Sequence, residues 1–198
     1  MKIEVLRHAS IKLTNDKVIY IDPYKIEEKN NDADYIFITH DHYDHYDEES
    51  INNIKKDNTK IIVPKCLEDK ENALVVEPNN DYGIDDITFS AIASYNINKP
   101  FHPKEKEYVG YLINLDGLNY YIMGDTDITE EALKVKCDVC FVPIGGVYTM
   151  DVNEAISYIN QIKPKKAIPI HYGLITGDKS LGITFKENID KEIEVELW

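Results

Sequence analysis

Thr39-His40-Asp41-His42-Tyr43-Asp44-His45-Tyr46-Asp47 gathers three of the chain's six histidines within six residues and interleaves them with acids. Just upstream, Asp34-Tyr35-Ile36-Phe37-Ile38 is a short apolar, β-branched and aromatic run that reads as a buried strand. Just downstream, Asp47-Glu48-Glu49-Ser50 loads the first turn of a helix with negative charge, which the helix dipole favours. The cluster therefore sits on the loop leaving the carboxyl end of a strand, where α/β sheets place their sites. In extended backbone, residues two apart point the same way, so His40 and His42 present their imidazoles to one point. Asp44 and His45 are adjacent and diverge, which suits a second ion beside the first. Imidazole with carboxylate favours zinc, then manganese or iron, over calcium or magnesium. The competing reading is a solvated polar loop, and the density of histidine beside a strand end weighs against it.

The 198 residues, 43% of them hydrophobic, suit one compact α/β domain spanning 1–198. Twenty-two basic residues against 36 acidic ones give a net charge of −14. Such a surface argues against nucleic acid and anionic membranes as partners and leaves a small-molecule substrate. The start, Met1-Lys2-Ile3-Glu4-Val5-Leu6-Arg7-His8, has no apolar core of signal-peptide length, and no later run would span a bilayer, so a cytoplasmic location is expected. Three cysteines are poor material for a disulfide framework. Cys137-x-x-Cys140 reads as buried and structural, because residues three apart on a strand face opposite sides.

Taken in order, Ile11-Lys12-Leu13 and Val18-Ile19-Tyr20-Ile21 flank an Asn15-Asp16 hairpin turn, and Asp22-Pro23 closes that unit. A short helix through Ile51 and Ile54 follows the histidine cluster, and Lys60-Ile61-Ile62-Val63 returns as a strand. Residues 73–77 and 86–93 read as strands separated by a turn at 79–83. Residues 108–113 and 120–123 form a hairpin about Asp116-Gly117. The second half alternates: a short helix at 129–134, a strand at 138–143, a helix at 152–162 opened by the Asp151-x-x-Glu154 capping box, a strand at 167–170, a helix near 182–189 and an edge strand at 192–197. Two sheets packed face to face and covered by helices would accommodate this order.

Two further strand ends carry ligand-type side chains. Tyr120-Tyr121-Ile122-Met123 runs into Gly124-Asp125-Thr126-Asp127, and Ala167-Ile168-Pro169-Ile170 runs into His171-Tyr172-Gly173. Alone, each reads as a cap or a turn residue; three such strand ends in one small domain point to a metal centre. His40-x-His42-x-Asp44-His45 resembles the HxHxDH signature of the metallo-β-lactamase superfamily of binuclear metallohydrolases. The loop Pro143-Ile144-Gly145-Gly146-Val147-Tyr148 and the His171-Tyr172-Gly173 ending resemble the branch containing the ascorbate-6-phosphate lactonase-like proteins. The resemblance runs from the first hairpin to His171. It implies a four-layer αββα sandwich, Asp125 as an acid bridging two metals, His171 completing the second site, and Asp22 of the Asp-Pro pair close to the metals.

One part of the pattern is missing. The superfamily supplies a third histidine to the first metal soon after the strand at 86–93, and here Ala93-Ser94-Tyr95-Asn96 stands in its place. His102, on the longer loop that follows, is the expected substitute; Tyr95 and Asn96 are the alternatives for that corner, as hydrogen-bond donors to substrate. The expected ligands are thus His40, His42, Asp44, His45, His102, Asp125 and His171. Asp44 and Asp125 hold the catalytic ions, Asp22 and Asp41 orient histidine N–H groups, and Tyr172 is among the tyrosines near the ligands. His8 is not counted as a ligand. The implied chemistry is hydrolysis of an ester, lactone or phosphodiester by metal-bound hydroxide at two divalent ions. A scaffold that binds metal without catalysis and acts as a sensor, and a nuclease, are the competing readings; the charge disfavours the nuclease.

Overall fold

A computed structural model of the chain describes residues 1–70 and 72–198. The architecture is mixed α/β with two sheets and few helices. It divides into two compact units, residues 1–76 with Trp198 and residues 77–197. Among the described residues, no helix is long and apolar enough to cross a membrane.

The first unit is a six-stranded sheet in sequence order. Its strands are β1 (Lys2–Arg7), β2 (Ser10–Thr14), β3 (Val18–Ile21), β4 (Ala33–Phe37), β5 (Lys55–Pro64) and β6 (Ala73–Val76). β1, β2 and β3 form an antiparallel meander, and β3 to β6 run parallel. Two consequences position the functional loops. Parallel register sets Ile21 beside Phe37, so the residues leaving β3 and β4, Asp22 and Thr39-His40, emerge together. Antiparallel register sets Ile11 beside Ile21, so the β1–β2 turn holding His8 lies at that same edge. Beneath them, Tyr20, Ile36, Ile38, Ile51, Ile54 and Val63 form the buried core, each aliphatic side chain contributing about 1.5–3 kcal/mol by burial.

Helix α1 (Glu48–Ile54) begins where the acidic run predicts. Asp47 caps it: Oδ1 accepts from Glu49 N (3.1 Å), and Oδ2 accepts from Ser50 Oγ (2.7 Å) and from Lys25 N (2.9 Å). The cap therefore also pins the loop after Asp22-Pro23.

The second unit is a seven-stranded sheet of β7 (Asn80–Ile84), β8 (Ile87–Ala93), β9 (Val109–Leu115), β10 (Leu118–Ile122), β11 (Val139–Pro143), β12 (Lys166–Ile170) and β13 (Glu194–Val195), again neighbours in chain order. β7 to β10 are antiparallel, and β10 to β13 are parallel. The carboxyl ends of β8, β10, β11 and β12 consequently share one edge. α2 (Val152–Ile162) opens with both halves of the capping box: Asp151 accepts from Asn153 N and Glu154 N, and Glu154 accepts from Asp151 N. It buries Ala155, Tyr158 and Ile159 in a core shared with Phe185 of α3 (Ser180–Asn188). The buried Tyr158 hydroxyl is satisfied by Ala132 O at 3.0 Å.

Several elements differ from the sequence reading. Of the residues expected as a turn at 79–83, 80–83 belong to β7, a polar edge strand without hydrophobic alternation. Its pairing rests on cross-strand contacts, Asp81 accepting from Ser90 Oγ and Tyr82 stacked on Phe89 at 5.5 Å. Only Ala132–Lys134 of 129–134 is helical, as one 3₁₀ turn, and only Glu194–Val195 of 192–197 pairs as a strand. Cys137 precedes β11, so the alternation argument does not separate it from Cys140, and the two thiols interact. Both are unbridged; Cys140 is buried and Cys137 half-buried.

Burial raises the Asp47 carboxyl pKa, but the Ser50, Lys25 and Glu49 hydrogen bonds outweigh it and hold the group below its ordinary value. The native state then favours the ionised form. The stabilisation is complete above the unfolded pKa of about 3.9 and fades as pH falls through the lower native value. Asp47→Ala is expected to cost about 1 kcal/mol at pH 7, read from the urea midpoint, with the deficit shrinking below about pH 4.

Candidate metal centre

In the first unit the ligand-type residues are built around Asp22. It is buried and takes a left-handed φ of 48° at the end of β3. Oδ1 accepts from Thr39 N (2.8 Å), while Oδ2 accepts from Thr39 Oγ1 (2.7 Å) and His45 Nδ1 (2.7 Å). Thr39 has one hydroxyl proton and gives it to Asp22, so at the 3.0 Å contact with His40 Nδ1 the imidazole is the donor. Asp22 thus sets the tautomer of His45 directly and of His40 through Thr39. In both neutral rings Nε2 is left with the lone pair. Burial pushes the Asp22 carboxyl above the usual range, and the donors converging on it, led by His45, act in the opposite sense.

His40, His42 and His45 are neighbours, with ring centroids 4.6 Å apart for His40–His42 and 4.0 Å for His40–His45. His40 and His45 are buried and His42 is half-buried. Asp44 points Oδ2 toward two imidazoles, His45 Nε2 at 3.8 Å and His8 Nε2 at 3.3 Å. His8 was not counted from sequence. It is fully buried, sits at φ 55° in the two-residue β1–β2 turn, and offers a ligand atom within 4.8 Å of those of Asp44 and His45. The one signal for it was a histidine next to a hairpin; the register that delivers it to this edge is not local. Asp41 is exposed, and Asp22, also expected to orient histidine N–H groups, does so in the contacts above.

The second unit repeats the arrangement about Asp125. Its Oδ2 lies 3.4 Å from His102 Nε2 and 3.0 Å from His171 Nε2, and all three residues are buried. β10 delivers Asp125, β12 delivers His171 and the loop after β8 delivers His102. Asn96, expected as a donor to substrate, instead holds His102: Oδ1 accepts from His102 N (3.1 Å) and Nδ1 (3.0 Å), and Nδ2 donates to Tyr148 O (2.9 Å). Tyr148 O also accepts from His102 Nδ1 at 3.2 Å. In the neutral ring the His102 proton is therefore on Nδ1, which leaves the Nε2 lone pair facing the Asp125 carboxylate.

The glycine pair meets two different demands. Gly146 has φ +90°, and a Cβ on Gly145 would lie 2.3 Å from His171 O. The Tyr95 backbone bonds Thr126 and Asp127, next to Asp125, while its ring reaches elsewhere. The Tyr95 hydroxyl donates to Glu131 Oε2 (2.9 Å) and accepts from Lys104 Nζ (3.2 Å). Tyr172 is buried in the apolar core against Gly182 of α3, because the chain turns at His171 (φ 56°).

These donor sets fit a cation. His102 Nε2 and Asp125 Oδ2, and likewise His45 Nε2 and Asp44 Oδ2, bring a lone pair against a carboxylate at low exposure. With neutral rings, two acceptors facing each other repel unless positive charge lies between them, either a metal ion or a second ring proton. Imidazole nitrogen with carboxylate oxygen is the ligand chemistry of zinc, manganese and iron.

Asp22→Ala would leave the buried Thr39 N–H and His45 Nδ1–H without their acceptor. A loss of about 2–3 kcal/mol or more is expected, measured by urea unfolding of the metal-depleted protein. An unchanged midpoint would contradict the central place given to Asp22.

The family model for the beta-lactamase superfamily domain matches residues 2–171. A UPF0173 protein of Pyrococcus abyssi is 30% identical over 202 residues, covering 96% of this chain and 91% of its own length. A UPF0173 metal-dependent hydrolase of Sulfolobus acidocaldarius is 32% identical and covers 84% and 82%. Among solved structures, a candidate metal-dependent hydrolase of Parabacteroides distasonis superposes with TM-score 0.87 at 30% identity over 98% of this chain and 91% of that one. The metallo hydrolase Igni18 of Ignicoccus hospitalis gives TM-score 0.79 at 18% identity over 99% and 94%. With a family model spanning both sheets and a near relative sharing its backbone, the chain belongs to the beta-lactamase superfamily and has the metallo-β-lactamase fold.

Proposed function

We propose that the chain is a metal-dependent hydrolase that binds two divalent ions, with His40, His42, Asp44, His45, His102, Asp125 and His171 as its metal ligands. Zinc is the first choice of ion, manganese or iron the next. The substrate is a small molecule with an ester, lactone or phosphodiester bond, and the protein works in the cytoplasm. The observation that carries this reading is the repeated pairing of an Asp Oδ2 with two imidazole Nε2 atoms, Asp44 with His8 and His45, and Asp125 with His102 and His171. In support, the family match takes in every one of these residues, and the Sulfolobus acidocaldarius relative is named a metal-dependent hydrolase.

A bound divalent ion would lower the pKa of a coordinated water from about 15.7 to near 7, supplying a nucleophile at neutral pH. The chain's own residues keep the donors ready for that ion. Asp22 holds protons on the far side of His45 and, through Thr39, of His40. Asn96 and Tyr148 O do the same for His102. Asp44 and Asp125 would bring the negative charge that balances the cations. All of these donors except the half-buried His42 are buried, which strengthens the electrostatic contacts they make. His8 beside Asp44 acts as a further donor at that carboxylate.

Elemental analysis of protein purified without added metal is expected to find up to two equivalents of transition metal. His42→Ala is expected to lose metal and turnover together; full activity of metal-free protein on generic esters would overturn the reading. Asn96→Ala removes a partner of His102 without touching a proposed ligand. It is expected to weaken metal binding about 10–100-fold in a chelator competition, while the circular dichroism spectrum is unchanged.

A further inference from the structure

The loop that carries His102 has a composition of its own. Asn96 N donates to His102 O at 2.8 Å and closes a neck, so Ile97 and Phe101 stand immediately inside it. Both are exposed, 57% and 41%. Phe101 packs edge-to-face on Tyr148, centroids 4.7 Å apart, and Tyr148 is the residue whose carbonyl holds His102 and Asn96. Val147 beside it is 57% exposed. Leu174, three residues past His171, is also exposed. Of the six large apolar side chains exposed among the described residues of the second unit, four (Ile97, Phe101, Val147 and Leu174) thus lie on loops leaving the carboxyl ends of β8, β11 and β12. Single exposed apolar residues need no explanation, but concentration around polar ligands is the pattern of a substrate pocket.

Charge on the same loop separates the candidate bonds. Lys99, the lysine inside the neck, is bound by Asp127 and lies 3.9 Å from Glu154. Lys104, just past His102, is paired with Glu131 at 3.0 Å and bonded to the Tyr95 hydroxyl. Asp127 also accepts from Ile97 N at 2.9 Å, which ties the ion pair to the loop backbone. Phosphodiester recognition calls for guanidinium or unbalanced ammonium groups. The chain has a single arginine, Arg7, placed in β1, and Lys99 and Lys104, the lysines flanking His102, are already neutralised by carboxylates.

We propose that Ile97, Phe101, Val147 and the Tyr148 ring bind the apolar acyl part of a carboxylic ester or lactone, so that acyl esters rather than phosphodiesters are the substrate class; this rests on the hydrolase reading above. In the reaction, the oxygen of water bonds to the acyl carbon and the acyl C–O bond breaks. The leaving alkoxide takes one proton of that water, and the other is released as the carboxylic acid ionises.

The test uses metal-loaded full-length protein and two readouts. The first is kcat/KM on p-nitrophenyl acetate, butyrate and octanoate and on bis-p-nitrophenyl phosphate. The second is calorimetric affinity for acetate and octanoate, which needs no turnover. Octanoyl is expected to exceed acetyl by about tenfold or more in both, since each well-buried methylene adds about fourfold, with the phosphodiester poorest. Ile97→Ser/Phe101→Ser is expected to lose the chain-length dependence, and Ile183→Ser, an exposed residue of α3, to keep it. Equal octanoate and acetate affinities, or a phosphodiester turned over faster than octanoyl ester, would overturn the assignment. Preference for octanoate in binding, with metal bound and no turnover of any ester, would support the apolar subsite and count against hydrolysis alone.

Discussion

An imidazole has two nitrogens and one proton in its neutral form, so aiming one nitrogen requires fixing the other. That constraint organises both units. Asp22 accepts the His45 proton and, through Thr39, fixes that of His40. Asn96 and the Tyr148 carbonyl accept that of His102. None of these acceptors need touch an ion. Each is paired with a buried ring whose remaining nitrogen carries the lone pair, and the strand order of each sheet exists at these edges to bring acceptor and ring together.

The two units reach the same local chemistry by the same topology. Each sheet begins antiparallel and becomes parallel, and in each the loops of interest leave carboxyl ends at one edge. Each places one aspartate Oδ2 among two imidazole Nε2 atoms, Asp44 with His8 and His45, Asp125 with His102 and His171. The backbone accommodates this with left-handed conformations at His8, Asp22 and His171, which are not glycines. Such conformations are costly outside glycine and concentrate at functional sites, where the surrounding hydrogen bonds and packing enforce them. At the β11 loop the demand is met with glycine instead, since a side chain at Gly145 would collide with the His171 backbone.

The loop after β8 shows how a family pattern is altered without losing its physics. The superfamily's histidine is absent from the strand end, and an asparagine stands there. Asn96 recruits a histidine six residues later and holds it at two points. The longer excursion also exposes Ile97 and Phe101, so the departure that relocates the histidine also changes the surface of that loop.

What the linear sequence determined was whatever depends on near neighbours. The run Asp34–Ile38 leading into the histidine cluster, the Asp47 and Asp151 caps, and the Asp116-Gly117 hairpin are interactions within a few residues, and each is found where residue type and spacing place it. The family followed from the histidine motif and from Asp125 and His171 at strand ends. Asp22 was expected to orient histidine N–H groups, and the tertiary structure named its partners, Thr39 and His45; the places of His8, Asn96 and Tyr172 were decided by the tertiary structure alone. His8 depends on antiparallel register across β1, β2 and β3, Asp22 on β3 lying parallel to β4, and Asn96 on a loop folding back upon itself. Tyr172 turns into the core because His171 adopts a positive φ. The polar edge strand β7 escaped notice for the same reason, since its only marks are partners on β8. Local propensities act through the chain, but hydrogen-bond acceptors for buried imidazoles are chosen by strand order, which no short window of residues contains.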